Sequence, residues 1–285
     1  MKKWYQQGDI MLGIAVIAVV AMLIIPLPAM LLDFLLAISI MISIIALLTA
    51  MFNREIADFS IFPTLLLVST VYRLALNVSS TRLILAKGPA FEGQLIRAFG
   101  EFVVGNNYII GFVVFIILVL VQMMVITKGA TRISEVSARF ALDALPGRQM
   151  AIEADITSGR VTEEEGRKRN ENLRREVDFY GQMDGATKFV QGDVRVGLII
   201  TAVNIVGGLI IGMVMRGENF QTALKTYTLL TIGDGLVTQI PSFLIGLSSA
   251  LLATRSSTAT NLSRDVIGQT FQEPAVLFLA SAATL

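Results

Sequence analysis

The sequence contains no histidine and no cysteine. Without histidine, Ser-His-Asp catalysis and HExxH zinc chemistry have no residues to use. The one side chain that titrates near neutral pH unperturbed is also missing, so any proton handling falls to carboxylates tuned by Lys or Arg. Without cysteine there are no disulfides and no thiolate metal sites. Charge is scarce: 16% of the 285 residues are Asp, Glu, Lys or Arg, against about 25% in an ordinary soluble domain. A net charge of +1 leaves no basic footprint for nucleic acid. No GxxxxGK[ST] string occurs, which excludes a P-loop ATPase reading. No enzymatic activity, cofactor or metal site is expected.

What the sequence has instead is apolar length, with 54% hydrophobic residues. A spanning helix needs about 20 mostly apolar residues. Residues 10–25 form a slightly short first candidate. Lys2 and Lys3 ahead of it resemble a signal peptide, but no small-residue cleavage site follows, and Pro26-Leu27-Pro28 leads straight into another apolar run. The prolines set a turn. Further spans are expected over 29–52, 59–85, 108–126, 194–214 and 227–254. The connection 87–107 repeats Phe91, Leu95, Phe99, Phe102 and Val103 near helical spacing, which predicts an amphipathic surface helix. The run 275–285 has only eleven residues, too short to span, so the chain is expected to continue beyond it. No internal repeat is found.

The long polar stretch 127–193 divides the apolar runs. Its expected helices are 130–143, stopped by Pro146-Gly147, then 148–158, stopped by Gly159. Thr162-Glu163-Glu164-Glu165 reads as a capping box opening a charged helix to about residue 180, after which Gly181, Gly185 and Gly192 punctuate the return to the membrane. The predicted architecture is therefore all-α: a polytopic membrane helical bundle with a small helical insert. Residues 1–127 hold four spans, 128–193 the insert, and 194–285 spans five, six and part of seven. A cytoplasmic N-terminus places sixteen basic residues inside, among them Arg54, Arg255 and Arg264, against four outside, Lys87, Arg97, Arg216 and Lys225. The positive-inside rule then puts the insert in the cytoplasm.

Charged groups within spans are expensive and mark ion or proton paths. The candidates are Asp33, Arg73, Arg82, Asp193, Arg195 and Asp234. Asp234 is the sharpest, deep in an apolar run and bracketed by Gly233 and Gly235, where close backbone approach, water or a local helix break would be tolerated. It reads either as a proton acceptor or as the partner of Arg73 or Arg82. The intramembrane protease motif GxGD is not met, because Thr231 stands where its first glycine belongs. Asp193 follows Lys188 by five residues, which permits a direct pair without requiring one; a plain helix-start carboxylate is the alternative. Arg82, near a span end, reads as snorkelling, and Asp33 as reaching the outer interface. Gly208 and Gly212 form a GxxxG spacing suited to close helix contact.

The string RISEVSARFALDALPGRQMAIEAD (132–155) resembles the signature of the FHIPEP family. IPLPAMLLDFLLAISI (25–40), FPTLLLVSTVYRLALNVSSTRLIL (62–85), VITKGATR (125–132), MDGATKFVQGD (183–193) and YTLLTIGDGLVTQIP (227–241) are similar to further family blocks, in family order. Arg148 departs from the lysine more usual after Pro-Gly, but keeps the charge. The family comprises export-gate proteins of the bacterial inner membrane, in flagella and in virulence type III secretion, and ALNVSSTR looks flagellar. The resemblance implies eight spans followed by a large cytoplasmic domain that docks chaperones, secreted substrates and the export ATPase complex. It also implies a nonameric homo-oligomeric ring among other export-gate membrane proteins, at the flagellar basal body, and coupling of proton or sodium motive force to export of unfolded proteins. The family's important charged positions fall on Arg82, Lys188, Asp193 and Asp234, making the carboxylates ion-path residues with Arg82 and Lys188 as their partners. Glu135, Arg139, Asp143 and Arg148 become part of a ring-forming or coupling subdomain. A small-ion transporter outside secretion would account for the intramembrane charges but not for the insert.

Overall fold

The computed structural model describes residues 2–53, 59–105, 107–254 and 282. The expected polar loop 255–273, most of the last apolar run, and the basic residues Arg54, Arg255 and Arg264 lie outside the described residues. All regular structure among the described residues is helical: α1 (Lys2–Ile24), α2 (Ala29–Phe52), α3 (Phe62–Lys87), α4 (Gln94–Val104), α5 (Tyr108–Val121), α6 (Lys128–Thr157), α7 (Glu163–Ile210) and α8 (Phe220–Ala253). Five helical stretches are long and apolar enough to cross a membrane, and Gly13–Ile24 is a shorter apolar helix. The all-α polytopic bundle is thus the observed fold.

The turns after α1, α3 and α7 gather at one end, called here the far end; α6 and the first half of α7 form the insert at the other. Burial follows helical periodicity. α2 buries Ala29, Leu32, Leu36, Ser39, Ser43, Ala46 and Ala50, a stripe of three- and four-residue steps. α5 buries only Gly111, Phe115 and Val119, one residue per turn, and leaves Ile109, Val113, Ile117 and Leu120 outward, where lipid is their natural solvent. α8 is the axis: it contacts α2, α3, α4, α5, α6 and α7.

Two sequence expectations are corrected here. Pro146 does not end a helix; α6 runs through it to Thr157. Proline removes one hydrogen bond at a cost of about 3 kcal/mol, and packing along α7 outweighs it: Ala138 sits in one cluster with Phe179, Tyr180 and Met183. Gly181, Gly185 and Gly192 do not break α7, which is one helix from Glu163 to Ile210. Each glycine costs about 1 kcal/mol in a helix, too little to stop a helix anchored in the insert and the bundle alike. The helix in 87–107 is α4, and it is two-faced as expected: Ile96, Gly100 and Val104 are buried, whereas Gln94, Glu101 and Phe102 are exposed. The capping at Thr162 is as expected, its hydroxyl accepting from Glu165 N at 3.3 Å, and Gly159 stops α6 with φ +70°. α5 passes into α6 through a π-helical segment, residues 122–127, so both insert helices are direct extensions of membrane helices.

Candidate ion-path site

The site lies where α3, α7 and α8 meet. Position 193 on α7 and positions 197, 201, 204 and 208 fall on one face, because eleven residues make just over three full turns. That face carries Asp193, Gly197, Thr201, Asn204 and Gly208, polar or small throughout, and turns to α3 and α8. The two glycines of the GxxxG spacing seat Tyr227 of α8: a Cβ on Gly208 would strike its ring, and one on Gly212 would come within 2.8 Å of it. The expected close helix contact is therefore present.

Asp193 is 7% exposed and forms an ion pair with Arg73 of α3, Nη2 to Oδ2 at 3.0 Å; Arg73 is 1% exposed. The same nitrogen donates to Thr70 Oγ1 at 3.1 Å. A buried pair of this kind is costly to break, since the remaining charge is stranded away from water. Asp234 is 3% exposed and has no ion pair among the described residues. Its Oδ2 accepts from Asn204 Nδ2 at 3.3 Å. Both flanking glycines are tight: a Cβ on Gly233 would fall on the Ile96 carbonyl oxygen, and one on Gly235 would lie 2.6 Å from the Phe115 ring. Close approach is thus the reason for the bracket, and α8 continues unbroken through it.

Asp193 and Asp234 open onto the same small cavity, together with Asn77, Gln122, Thr201, Thr238, Gln239 and Ser242. About 30 Å³ is open to the centre of a water, and one water needs about 10–15 Å³ by that measure. Among protein atoms, Asp193 Oδ1, Asp234 Oδ1, Asn204 Oδ1 and Ser242 Oγ have no hydrogen-bond partner. The space is polar and roomy enough to hydrate two carboxylates. Gln122 Nε2, at the start of the π-helical segment, donates to the Gln239 carbonyl at 3.3 Å and ties α5 to α8 at the cavity wall.

The other candidates fall elsewhere. Lys188 does not reach Asp193; it pairs with Asp184 at 2.7 Å on the insert surface, one turn back rather than five residues on, because i,i+4 is the helical neighbour. Asp184 holds the Lys188 ammonium above its ordinary value. Arg82 does not approach either carboxylate. It donates to the carbonyls of Ile24 at 2.6 Å and Leu23 at 3.0 Å, satisfying the C-terminal end of α1. Arg195 is exposed. Asp33 accepts from the backbone N–H of Gln94 at 2.7 Å and Leu95 at 3.3 Å. In the insert, Glu135 pairs with Arg132 at 3.3 Å and Arg139 at 3.6 Å, Arg148 joins α6 to α7 through Glu176 at 3.2 Å, and Asp143 is exposed. Among the described residues no group of three His, Cys, Asp or Glu is placed to hold a metal.

A polytopic helical bundle with paired intramembrane carboxylates at a polar cavity defines the class. Within it, the FHIPEP family model matches residues 19–285, and the chain belongs to the FHIPEP family. It is 49% identical over 283 residues to the flagellar biosynthesis protein FlhA of Borreliella burgdorferi, covering 98% of this chain and 41% of that protein. It is 50% identical over 277 residues to FlhA of Bacillus subtilis, covering 97% and 41%, and 49% identical over 280 residues to FlhA of Salmonella typhimurium, covering 97% and 40%. The chain therefore spans about two fifths of the length of these relatives. No solved structure matches it.

Proposed function

We propose that this chain is the membrane part of a flagellar type III protein export gate in the bacterial inner membrane, and that it couples proton or sodium motive force to export. The observation that carries the reading is the shared cavity: Asp193 and Asp234 come from different helices yet face one polar space inside an otherwise apolar bundle. In a chain without histidine, these carboxylates are the groups suited to take up and release a cation in transit.

Cation uptake at Asp234 cancels a buried charge and weakens its contact with Asn204. At Asp193 it frees Arg73 from its partner. Either event changes how α7 sits against α3 and α8. Because α7 is one helix from insert to far end, and α5 runs into α6, the change is carried to the insert without a flexible joint. There Glu135, Arg139, Asp143 and Arg148 serve ring formation and coupling. This is a local charge change biasing a two-state element. The ring, the neighbouring gate proteins, the export ATPase complex, the chaperones and the secreted substrates are the partners the reading requires.

The test uses the full-length protein in cells. Asp193→Asn and Asp234→Asn are each expected to abolish motility and export while the protein still reaches the membrane and forms its ring. Wild-type motility in both variants would rule the scheme out.

A further inference from the structure

Asn204 is wholly buried, at 0% exposed, on the face of α7 that also carries Asp193 and Gly208. An amide is costly to bury unless it is hydrogen-bonded. Its Nδ2 donates across to Asp234 Oδ2 on α8 at 3.3 Å. Its Oδ1 has no partner among protein atoms, and neither has Asp234 Oδ1. The two side chains therefore meet with one bond made and one oxygen idle on each. Ser80 of α3 also lies beside Asp234, but its hydroxyl proton is given to the Asn77 carbonyl at 3.0 Å.

An ionised carboxylate only accepts hydrogen bonds, whereas a carboxamide carries a donor and an acceptor on one head. Against the bare carboxylate the amide uses its nitrogen, which is the arrangement observed. A proton taken up by Asp234 creates an O–H donor, and the idle Asn204 Oδ1 is the acceptor on the same head. The N–H bond weakens as the charge is cancelled, and an O–H bond to Oδ1 forms beside it. Leucine at 204 could serve neither state. Of the elements packed against α8, α7 brings Asp193 and α3 brings Arg73, already paired with it. α5 has no charge, α4 places Arg97 and Glu101 in a separate groove with Lys225, and Asp33 of α2 is bonded to Gln94 and Leu95.

We propose that Asn204 is the positioning residue through which α7 reads the state of Asp234. The inference rests on the reading of the cavity as an ion route. α7 is tied to both neighbours: by Asp193 to Arg73 of α3, and by Asn204 to Asp234 of α8. The two ties lie eleven residues apart, about 16 Å along the helix. Filling Asp234 exchanges the second tie from the amide nitrogen to the amide oxygen and leaves the first in place. Asn204 holds no cation itself.

The test uses the full-length protein in cells, read by the rate at which a flagellar substrate reaches the medium. Asn204→Leu keeps the branched shape and loses the polar head. It is expected to slow export about tenfold or more, the scale of one hydrogen bond to a charged group, while the ring still forms. The exchange variant, Asn204→Asp with Asp234→Asn, moves the carboxyl to α7 and the amide to α8. It keeps the donor and acceptors of the pair and is expected to export faster than Asp234→Asn alone by the same factor. A merely structural Asn204 predicts no such rescue. Export by Asn204→Leu at the wild-type rate, with Asp234→Asn inactive, would overturn the inference and leave the ion route standing. An exchange variant no faster than Asp234→Asn alone would also overturn it, even where Asn204→Leu fails to form its ring. Export by Asp234→Asn at the wild-type level would remove the ion-route reading itself, and this inference with it.

Discussion

The insert and the membrane bundle carry their charges in opposite ways. The insert displays ion pairs such as Arg175–Glu171, Arg169–Glu165 and Lys188–Asp184 on helix surfaces at i,i+4 spacing. Each is wetted and exchangeable, and so contributes little to stability by itself. Among the described residues the bundle holds one buried pair, Arg73–Asp193, and one buried acid without an ion pair, Asp234. Many charges in water do little individually, whereas two or three in an apolar interior decide whether the helices assemble and what they can transmit. The difference between the two acids is equally instructive. Asp193 is held by a full charge and Asp234 by an amide, so the second can change protonation with less disturbance to packing.

The largest effect expected from this contrast is on stability. Arg73→Leu should destabilise the folded protein by about 3–5 kcal/mol, because it strands a buried carboxylate; thermal unfolding in detergent, read by the yield of folded protein, measures it. Arg73→Leu combined with Asp193→Leu should recover most of that loss, since removing both charges of a buried pair is often neutral, while export stays off. A double variant as unstable as the single one would show that the pair is not the source of the cost. Asp234→Asn should leave the melting temperature within a few degrees of the parent, yet abolish export in a motility assay; the two readouts moving together would mean that Asp234 is a packing residue. Arg148→Ala should cost about 0.2–1 kcal/mol, as an exposed cross-helix pair does, seen as faster hydrogen exchange in α6.

The smallest effect belongs to Lys188. Its ammonium is raised by Asp184, and a raised folded-state value stabilises at every pH below the unfolded lysine's range and fades as pH climbs through the folded value. Lys188→Ala should therefore leave unfolding unchanged in shape between neutral pH and about pH 10.5, the ordinary lysine value. A stability difference that opens and closes around neutral pH would instead tie Lys188 to the cavity.

Much of this was legible in the chain itself. Apolar length located the spans, and the scarcity of charge within them singled out Arg73, Asp193 and Asp234. The stops at Pro146, Gly181, Gly185 and Gly192 were misread because local propensity is a matter of one to three kcal/mol, and packing along α7 exceeds it. Asn204 was overlooked, although its place eleven residues after Asp193 is a signal of a shared helix face. The pairing of Asp193 with Lys188 failed because closeness in sequence is not closeness across a bundle.

Sequence alone determined that this protein carries helices long and apolar enough to cross a membrane, and that in the absence of histidine its carboxylates are the candidates for proton handling, for these follow from composition and period. Only the tertiary structure decided which cation neutralises Asp193, that Asp234 has none among the described residues, that the two acids face a common cavity, and that α4 rests on Gly233. Those outcomes depend on which faces of non-adjacent helices meet, and that is set by the packing of small residues at α2, α7 and α8 rather than by any local stretch of chain.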